Sequence, residues 1–216
     1  MLYILAAMQK EADALLAKAE IRKEFTQFGK KLWEGEACGV PFTLIVTGVG
    51  KTNAAASAML ALARGADRLL NIGVAGGITP RAKIGSLWQI DRAVQYDFDL
   101  STINGTPVGT LDEYQTPYFP LRTGGKFPTA TLATADSFAS GQDDMALLDS
   151  LGADVRDMEG AAIAHIAYAA GVPCTMSKSI SDNAREESVR EYRENMLIAL
   201  GALSDNMREI LEEANG

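Results

Sequence analysis

Apolar and polar positions along this chain predict strands and helices in alternation. Short continuous apolar runs are typical of buried strands, and longer segments with apolar residues every three or four positions are typical of helices. The predicted strands are residues 2–7, 31–39, 41–47, 68–72, 86–96, 129–135 and 173–180, together with a segment that ends near Val155. The predicted helices are residues 11–19, 51–64, 143–151 and 159–170, and a long C-terminal helix from 188 to about 213.

Local signals support several of these boundaries. A turn at residues 39–41 would join two neighbouring strands, and the Gly-Val-Pro sequence at 171–173 stops a helix and begins a strand. The Ser-Val-Arg-Glu sequence at 188–191 has the form of a capping box that opens the C-terminal helix. Residues 101–129 carry four prolines and several glycines and predict a loop.

The alternation of strands and helices favours an α/β fold. We predict a single domain over residues 1–216, in which a central mixed sheet is flanked by helices. The chain of 216 residues, 47% of them hydrophobic, is large enough for one domain with a full-sized core.

Charge and hydropathy exclude some classes of function. The formal net charge of −8 argues against a nucleic-acid groove or an anionic membrane surface, because either would need a basic face. No stretch approaches the ~20 apolar residues that span a bilayer. The N-terminal apolar run is short and lacks the preceding Lys or Arg of a targeting segment. We therefore expect a cytoplasmic protein without nucleic-acid or membrane partners.

The cysteines and the histidine do not predict a metal site. Cys38 and Cys174 lie far apart and outside any CxxC motif, and His165 is the one histidine. A zinc site would need more sulfur or histidine ligands. Two reduced, buried thiols are therefore expected, and no metal or organic cofactor is expected.

Two glycine-rich segments follow strand-like runs. Residues 48–52 end in the Gly-Lys-Thr of a phosphate loop, but the full motif needs a glycine where Ile45 stands. A tight turn from strand into helix is the interpretation that remains. Residues 71–77 form the second segment, whose glycines would let the backbone approach a ligand closely.

Three acidic residues, Glu11, Glu159 and Asp182, also follow strand-like runs. Ligands of open α/β sheets bind at the carboxyl ends of strands, so the three acids can converge on one pocket. In different environments they could donate a proton, remove a proton and hold a hydroxyl, a combination that suits cleavage of a glycosidic bond. Taken singly, Glu11 and Glu159 could be first-turn helix carboxylates favoured by the macrodipole, and Asp182 a turn residue.

Six short motifs occur in one order along nearly the whole chain. They are Ala7-Met8-x-x-Glu11, Thr47-Gly48-Val49-Gly50-Lys51, Asn71-x-Gly73-x-Ala75-Gly76-Gly77, Ala135-Asp136-Ser137-Phe138, Asp157-Met158-Glu159-Gly160-Ala161-Ala162 and Ile180-Ser181-Asp182. This set resembles the purine nucleoside phosphorylase and nucleosidase superfamily, most closely the 5'-methylthioadenosine/S-adenosylhomocysteine nucleosidases. The resemblance implies a mixed, barrel-like sheet surrounded by helices, and a homodimer whose partner covers part of each pocket.

The resemblance implies two catalytic roles. Asp182 would hydrogen-bond, and help to protonate, N7 of the departing purine. Glu11 would orient or deprotonate the attacking water. Breaking the C1'–N9 bond leaves an oxocarbenium-like sugar, so protonating the base and surrounding the cation with carboxylates both lower the barrier.

The resemblance also implies a substrate-binding site. Glu159 would accept hydrogen bonds from the 2'- and 3'-hydroxyls of the ribose, with Met158 packed against the sugar. Phe138 would stack on the base, and the backbone of Ala139 would read the Watson–Crick edge of adenine. The remaining expected members of this site are Met8, Val74 and Ser181.

Three features depart from the family pattern. Val74 stands where these nucleosidases usually carry Ser or Thr, and Lys178 stands where an Arg is usual, which exchanges a planar fork for a point charge. The segment 99–129 looks short and lacks a helix that often shapes the pocket for the 5' substituent. The identity of the 5' group is therefore the least constrained part of the resemblance.

The function implied is hydrolysis, by water, of adenine nucleosides with an apolar 5' substituent. Methylthioadenosine and S-adenosylhomocysteine, as in methionine salvage, are the first candidates. Alternatives are a hydrolase of futalosine-type nucleosides, a phosphorolytic enzyme, and a silent nucleoside-binding protein. Retention of three carboxylates argues against the silent binder, because a mere binder gains little from burying negative charges.

Overall fold

The computed structural model describes residues 1–138, 142–184 and 188–216. The strands are β1 (Leu2–Ala6), β2 (Ala19–Gln27), β3 (Lys30–Ala37), β4 (Val40–Val46), β5 (Arg68–Gly77), β6 (Leu87–Gln95), β7 (Tyr118–Pro120), β8 (Thr129–Thr134), β9 (Val155–Asp157) and β10 (Cys174–Asn183). The helices are α1 (Gln9–Leu16), α2 (Lys51–Ala63), α3 (Ser101–Asn104), α4 (Gln142–Ser150), α5 (Gly160–Ala170), α6 (Ser188–Asp205) and α7 (Met207–Asn215).

Five strands of the sheet close into a barrel. β5 pairs with β10 on one side and with β9 on the other, and the ring continues through β8 and β6 back to β10. β5 and β10 are parallel, whereas β5–β9 and β6–β10 are antiparallel. The mixed, barrel-like α/β fold predicted from the sequence is therefore confirmed.

The rest of the sheet extends from one side of β5. β1 lies between β5 and β4 and is parallel to both, and β3 and β2 follow as antiparallel strands. All five residues of β1 are buried, as expected for a parallel strand covered on both faces.

Two main cores lie on the two faces of this sheet. Side chains alternate between faces along a strand, so Leu2 and Ile4 of β1 join one core and Tyr3 and Leu5 join the other. The first core also contains residues of α1, α6 and α7. The second contains the alanine-rich faces of α2 and α5, whose small side chains allow close packing on the sheet. Across the described residues, no helix combines the length and apolar character that crossing a bilayer would require.

Two predictions near the N-terminus are wrong in detail. The helix predicted over 11–19 ends at Leu16, and strand β2 then begins at Ala19, where the sequence analysis placed no strand. β2 has few buried side chains, so its sequence lacks the apolar alternation that marks a half-buried strand. Backbone pairing with β3 holds it instead.

The turn between β3 and β4 also differs slightly from its prediction. Cys38 and Gly39, both at positive φ (53° and 81°), form the two-residue connection. Turns with two positive φ values suit a tight antiparallel hairpin. Cys38 is consequently half-buried rather than buried, whereas Cys174 is buried as expected, and both thiols are free.

Three later predictions need correction. The predicted loop 101–129 contains the short helix α3 and strand β7. The strand before Glu159 begins, rather than ends, at Val155. The long C-terminal helix is two helices, because it breaks at Asn206, whose side-chain amide donates to the carbonyl of Ala202 at 2.8 Å.

At the predicted capping box, the Glu191 carboxylate accepts from the N–H of Asn183 at 2.6 Å.

Candidate active site

A cavity lies at the carboxyl ends of β1, β5, β9 and β10. Its walls come from these strand ends, the loops that follow them and helix α6, as expected for an α/β fold. The lining residues are Ala7, Met8, Glu11, Val49, Val74, Ala75, Gly76, Phe138, Arg156, Asp157, Met158, Glu159, Ser181, Asp182 and Tyr192.

Eight of the nine residues expected at the substrate site line this cavity. They are Met8, Glu11, Val74, Phe138, Met158, Glu159, Ser181 and Asp182. Ala139 lies outside the described residues. The individual roles that the resemblance implies for these residues stay predictions.

Glu11 is buried in the first turn of α1 with its carboxylate turned into the cavity. Its oxygens accept hydrogen bonds from the backbone N–H of Val74, at 2.8 Å, and of Met8, at 2.9 Å. Burial raises the pKa of Glu11, while Lys178 and these N–H donors act in the opposite direction. Gly73 makes the arrangement possible, because a Cβ there would lie 2.6 Å from Glu11 Oε1 and 3.4 Å from Lys178 Nζ.

Lys178 lies beneath the cavity on β10 and is only 2% exposed. Its Nζ forms an ion pair with Asp157 Oδ2 at 2.8 Å. Burial alone would lower the pKa of Lys178, but Asp157, Glu11 and Glu159 outweigh it and the pKa is raised above its usual value. Lys178 therefore stays charged and acts as the shared counter-ion of three buried carboxylates.

Glu159 begins helix α5 and is buried at the cavity wall. Its Oε1 accepts a hydrogen bond from the N–H of Gly50 at 2.8 Å. Burial, and next the nearby Asp157 carboxylate, raise the pKa of Glu159 to about 7, although Lys178 opposes them. At neutral pH this acid is divided between its protonated and ionised forms.

Asp157 holds the start of α5 in place. Its Oδ2 accepts from the N–H of Gly160 at 2.9 Å, and its Oδ1 accepts from the hydroxyl of Thr134 at 2.6 Å. With Lys178 as a third partner, this carboxylate is fully engaged. Asp157 thus lines the cavity and also fixes the start of the helix at which Glu159 lies.

Asp182 lines the cavity from strand β10. Its Oδ2 accepts from the hydroxyl of Ser181 at 2.8 Å. Burial raises the pKa of Asp182, and the Ser181 hydroxyl and the positive charge of Arg156 act in the opposite direction. A carboxyl group with a raised pKa beside a ligand cavity is suited to general acid chemistry.

One wall of the cavity is apolar and aromatic. The Phe138 ring contacts Tyr192 edge to face, with ring centroids 5.1 Å apart. The Tyr192 hydroxyl in turn lies 3.3 Å from the sulfur of Met8. Phe138 is 37% exposed, so a flat ring of a ligand can stack on it.

Sequence reasoning did not single out Arg156, Asp157 or Tyr192 for this site. Arg156 carried a usable signal, because a charged residue within an otherwise buried strand is rarely there without a partner. Tyr192 had no signal, since nothing local distinguishes it from other surface positions of α6.

The arrangement brings four buried carboxyl groups, one buried arginine and an aromatic face around one cavity, with the buried Lys178 beneath it. Carboxyl groups whose pKa values are raised by burial in a cavity are typical of functional sites. In residues 1–138, 142–184 and 188–216, no three His, Cys, Asp or Glu side chains are grouped so that they could hold a metal ion.

Comparison with known families defines the class of this protein. The sequence model of the phosphorylase superfamily matches residues 2–212. The 5'-methylthioadenosine/S-adenosylhomocysteine nucleosidase of Geobacillus thermodenitrificans (strain NG80-2) is 30% identical, over 86% of this chain and 85% of that protein. The chain therefore belongs to the phosphorylase superfamily, as its motifs predicted.

Solved structures with the same fold include two enzymes that act on different substrates. One is an S-adenosylhomocysteine nucleosidase from Streptococcus pyogenes in complex with 5-methylthiotubericidin, with a TM-score of 0.87 and 26% identity over 98% of this chain and 95% of that one. The other is futalosine hydrolase of Helicobacter pylori strain 26695, with a TM-score of 0.89 and 24% identity over 98% of this chain and 97% of that one.

Proposed function

We propose that this protein is an N-glycosyl hydrolase that releases the base from 5'-substituted adenine nucleosides. Methylthioadenosine and S-adenosylhomocysteine are the first candidate substrates, which would place the enzyme in methionine salvage. The observation that carries the proposal is the convergence of Glu11, Glu159 and Asp182, all buried, on one cavity with an aromatic wall. The similarity to the G. thermodenitrificans nucleosidase supports it.

In this proposal the cavity has a base side, at Phe138 and Asp182, and a sugar side, at Glu11, Glu159 and Met158. A purine stacked on Phe138 would place N7 near Asp182, whose raised pKa favours the protonated form that can donate. The ribose would then lie toward Glu159 and Met158. Glu159 in its ionised form would accept hydrogen bonds from the two ribose hydroxyls.

The reaction then follows from the placement of the acids. The C1'–N9 bond breaks and its electron pair leaves with the base, which takes a proton from Asp182. The oxygen of a water molecule held by Glu11 bonds to C1', and Glu11 takes one proton from that water. Carboxylates around C1' stabilise the positive charge that develops on the sugar.

Water suits this site better than phosphate as the nucleophile. The N–H of Val74, a donor that could bind an anion, is already bonded to Glu11, and Lys178 is paired with Asp157. The side-chain amide of Asn71 donates to the carbonyl of Leu5 at 2.9 Å. A carboxylate about 4 Å from phosphate would repel each unit of charge by about 1 kcal/mol even in water-like surroundings.

A futalosine-type nucleoside is the second candidate substrate. The fold is shared with a futalosine hydrolase at a TM-score of 0.89, and the carboxylate chemistry at C1' does not depend on the 5' group. Met8 and Tyr192 on the cavity wall favour a 5' substituent with apolar character.

The same proposal includes a homodimer in the cytoplasm. Val49 lines the cavity yet is 48% exposed, so a partner subunit that covered it would also complete the pocket wall. Two free thiols are in keeping with a reducing compartment.

The experiment that tests the proposal measures base release from methylthioadenosine, S-adenosylhomocysteine and futalosine in phosphate-free buffer, and again with phosphate. From methylthioadenosine and S-adenosylhomocysteine we expect adenine without phosphate, and we expect no ribose-1-phosphate product when phosphate is added. Strict phosphate dependence would place the chain among the phosphorylases. Binding of all nucleosides without release of any base would identify a silent nucleoside-binding protein.

A further inference from the structure

Lys51 lies in the glycine-rich segment 48–52 and has no role in the reaction described above, although its Gly-Lys-Thr sequence is that of a phosphate loop. Helix α2 begins at Lys51. Gly50 precedes the helix at a φ of 98°, in the region that favours glycine, and a Cβ there would lie 3.2 Å from Asp136 Oδ1. Glycine therefore lets the amino end of α2 approach a carboxylate closely.

Carboxylates of the chain itself occupy the amino end of α2. The N–H of Gly50 donates to Glu159 Oε1 at 2.8 Å, and the N–H of Lys51 donates to Asp136 Oδ1 at 2.8 Å. The first N–H groups of a helix have no partner within the helix and carry the positive end of its dipole, so they favour an anion. The helix end that holds phosphate in a phosphate loop is thus filled here by two acidic side chains.

Asp97 connects these groups on the outer side of the cavity. Lys51 Nζ forms an ion pair with Asp97 Oδ1 at 2.5 Å, and Asp97 Oδ2 accepts from the N–H of Asp136 at 3.0 Å. Asp97 follows β6 and Asp136 follows β8, which are neighbouring parallel strands. Lys51, Asp97 and Asp136 therefore form a helix-end ring, which ties the start of α2 to the carboxyl ends of two barrel strands.

The helix-end ring bears on Glu159 through Gly50. Across the described residues, the Gly50 N–H is the one hydrogen-bond donor that contacts the Glu159 carboxylate. If the start of α2 moved away, this carboxylate would lose that donor and could turn to another rotamer. The consequence for a ligand rests on the proposed function, in which Glu159 accepts hydrogen bonds from the 2'- and 3'-hydroxyls of the ribose.

We propose that Lys51, Asp97 and Asp136 are positioning residues that hold the Glu159 carboxylate where both ribose hydroxyls can donate to it. The Gly50 N–H fixes Oε1, which leaves Oε2 to accept from the sugar. None of the three ring residues is among those that line the cavity, so they act through Gly50 and not by contact with the substrate. The helix-end ring thereby favours nucleosides that carry both hydroxyls.

The test compares 5'-methylthioadenosine with 5'-methylthio-2',3'-dideoxyadenosine, which lacks both hydroxyls. Asp136→Ala removes the acceptor of the Lys51 N–H. It should lower kcat/KM for methylthioadenosine about tenfold, in the range for loss of one helix-capping acceptor, and should change the dideoxy compound by about twofold or less. Asp136→Asn keeps an acceptor oxygen and should recover most of the loss. If the dideoxy compound turns over slowly, its inhibition constant replaces kcat/KM.

A second variant tests the ring at its ion pair. Lys51→Met removes the pair with Asp97 and should lower kcat/KM in the same selective way, and Lys51→Arg should recover part of the loss. In a Glu159→Gln background, Asp136→Ala should add little, because two changes that act through one group are not additive.

The matched control is Asp154→Ala. It also removes an acceptor of a backbone N–H, that of Thr131 at 3.2 Å, but Asp154 precedes β9 and lies outside the cavity lining. It should leave kcat/KM for both nucleosides unchanged.

The outcomes separate this inference from the proposed function. Equal losses for the two nucleosides in Asp136→Ala, or no loss for either, would overturn the inference and leave the proposed function standing. Additive losses in the Glu159→Gln background would also overturn it. Release of no base by wild type would overturn the proposed function, and a selective loss of affinity for methylthioadenosine over the dideoxy compound in Asp136→Ala would still support the helix-end ring.

Discussion

The proposed sugar side and the proposed base side of the cavity both bury carboxyl groups beside a cation, but the cation has different partners on each side. On the sugar side, Lys178 is ion-paired with Asp157 and also acts on Glu11 and Glu159. On the base side, Arg156 bonds to backbone carbonyls and acts on Asp182 through space.

This difference matches what the proposed reaction would require of each side. A cationic sugar in the transition state is stabilised by negative charge, so in the proposal Lys178 keeps three carboxylates together without neutralising all of them. A departing base needs a proton, so in the proposal Asp182 keeps a raised pKa, which a direct ion pair would prevent. The same pair of residue types therefore gives two different electrostatic environments within one cavity.

The largest loss of activity is expected from Asp182→Asn, on the base side of the cavity. Release of adenine from methylthioadenosine should fall about 10⁴-fold, the upper end for the loss of a general acid. A nucleoside whose base departs without protonation should lose much less. Steady-state kcat/KM for both substrates checks this, and an equal loss for both would mean that Asp182 positions the base and does not protonate it.

On the sugar side, Glu11→Gln and Glu159→Gln should fail in different ways. Glu11→Gln should lower kcat about 10²–10³-fold with little change in nucleoside affinity, because the water loses its base. Glu159→Gln should weaken both affinity and turnover, because the ribose hydroxyls lose a charged acceptor. Calorimetric Kd values beside kcat values separate the two, and a Kd dominated by Glu11 contradicts these roles.

Lys178→Met removes the positive charge that balances the buried carboxylates of the sugar side. Removal of one partner of a buried ion pair should lower the free energy of unfolding by about 3–5 kcal/mol, because Asp157 is left buried and unpaired. The double variant Lys178→Met/Asp157→Asn should recover much of that loss.

The matched control for that experiment is Lys126→Met, which removes an exposed ion pair with Glu212. Its effect on the free energy of unfolding should be much smaller than that of Lys178→Met, because solvent screens an exposed pair. Urea denaturation of the four proteins supplies the comparison. Similar losses for Lys126→Met and Lys178→Met would show that burial does not distinguish the two pairs.

The smallest expected effect concerns how the free energy of unfolding depends on pH. Glu159 contributes to this dependence. Its pKa is raised from 4.5 to about 7 in the folded protein, so between these values the folded state holds a proton that the unfolded chain releases. The stabilisation is complete below pH 4.5, and the free energy of unfolding falls as pH rises from there through about 7.

Glu159→Gln should remove this contribution to the pH dependence, as measured by urea denaturation at several pH values. Glu20→Gln, at an exposed glutamate of β2, should leave the dependence unchanged. If the Glu159→Gln and wild-type curves run parallel from pH 4.5 to 7, Glu159 does not titrate in this window.

The sequence alone determined the order of most elements and the presence of acids at strand ends. The buried strand β1 and the alanine-rich helix α5 were readable because their side-chain patterns reflect local geometry. Glu11, Glu159 and Asp182 could be placed near one another because strand ends in such sheets meet at one edge. Motifs spread over the chain were enough to predict the superfamily.

Only the tertiary structure decided the features that depend on partners distant in sequence. β2 has mostly exposed side chains, and its pairing with β3 gives no periodic signal. The pKa of Glu159 depends on burial and on contacts with Gly50 and Lys178, which no local pattern encodes. Arg156 lies beside Asp182 because Gly76 on the neighbouring strand leaves room for both side chains. Residue types and periodicity are local properties, whereas burial, charge balance and donor direction arise only when the strands are assembled.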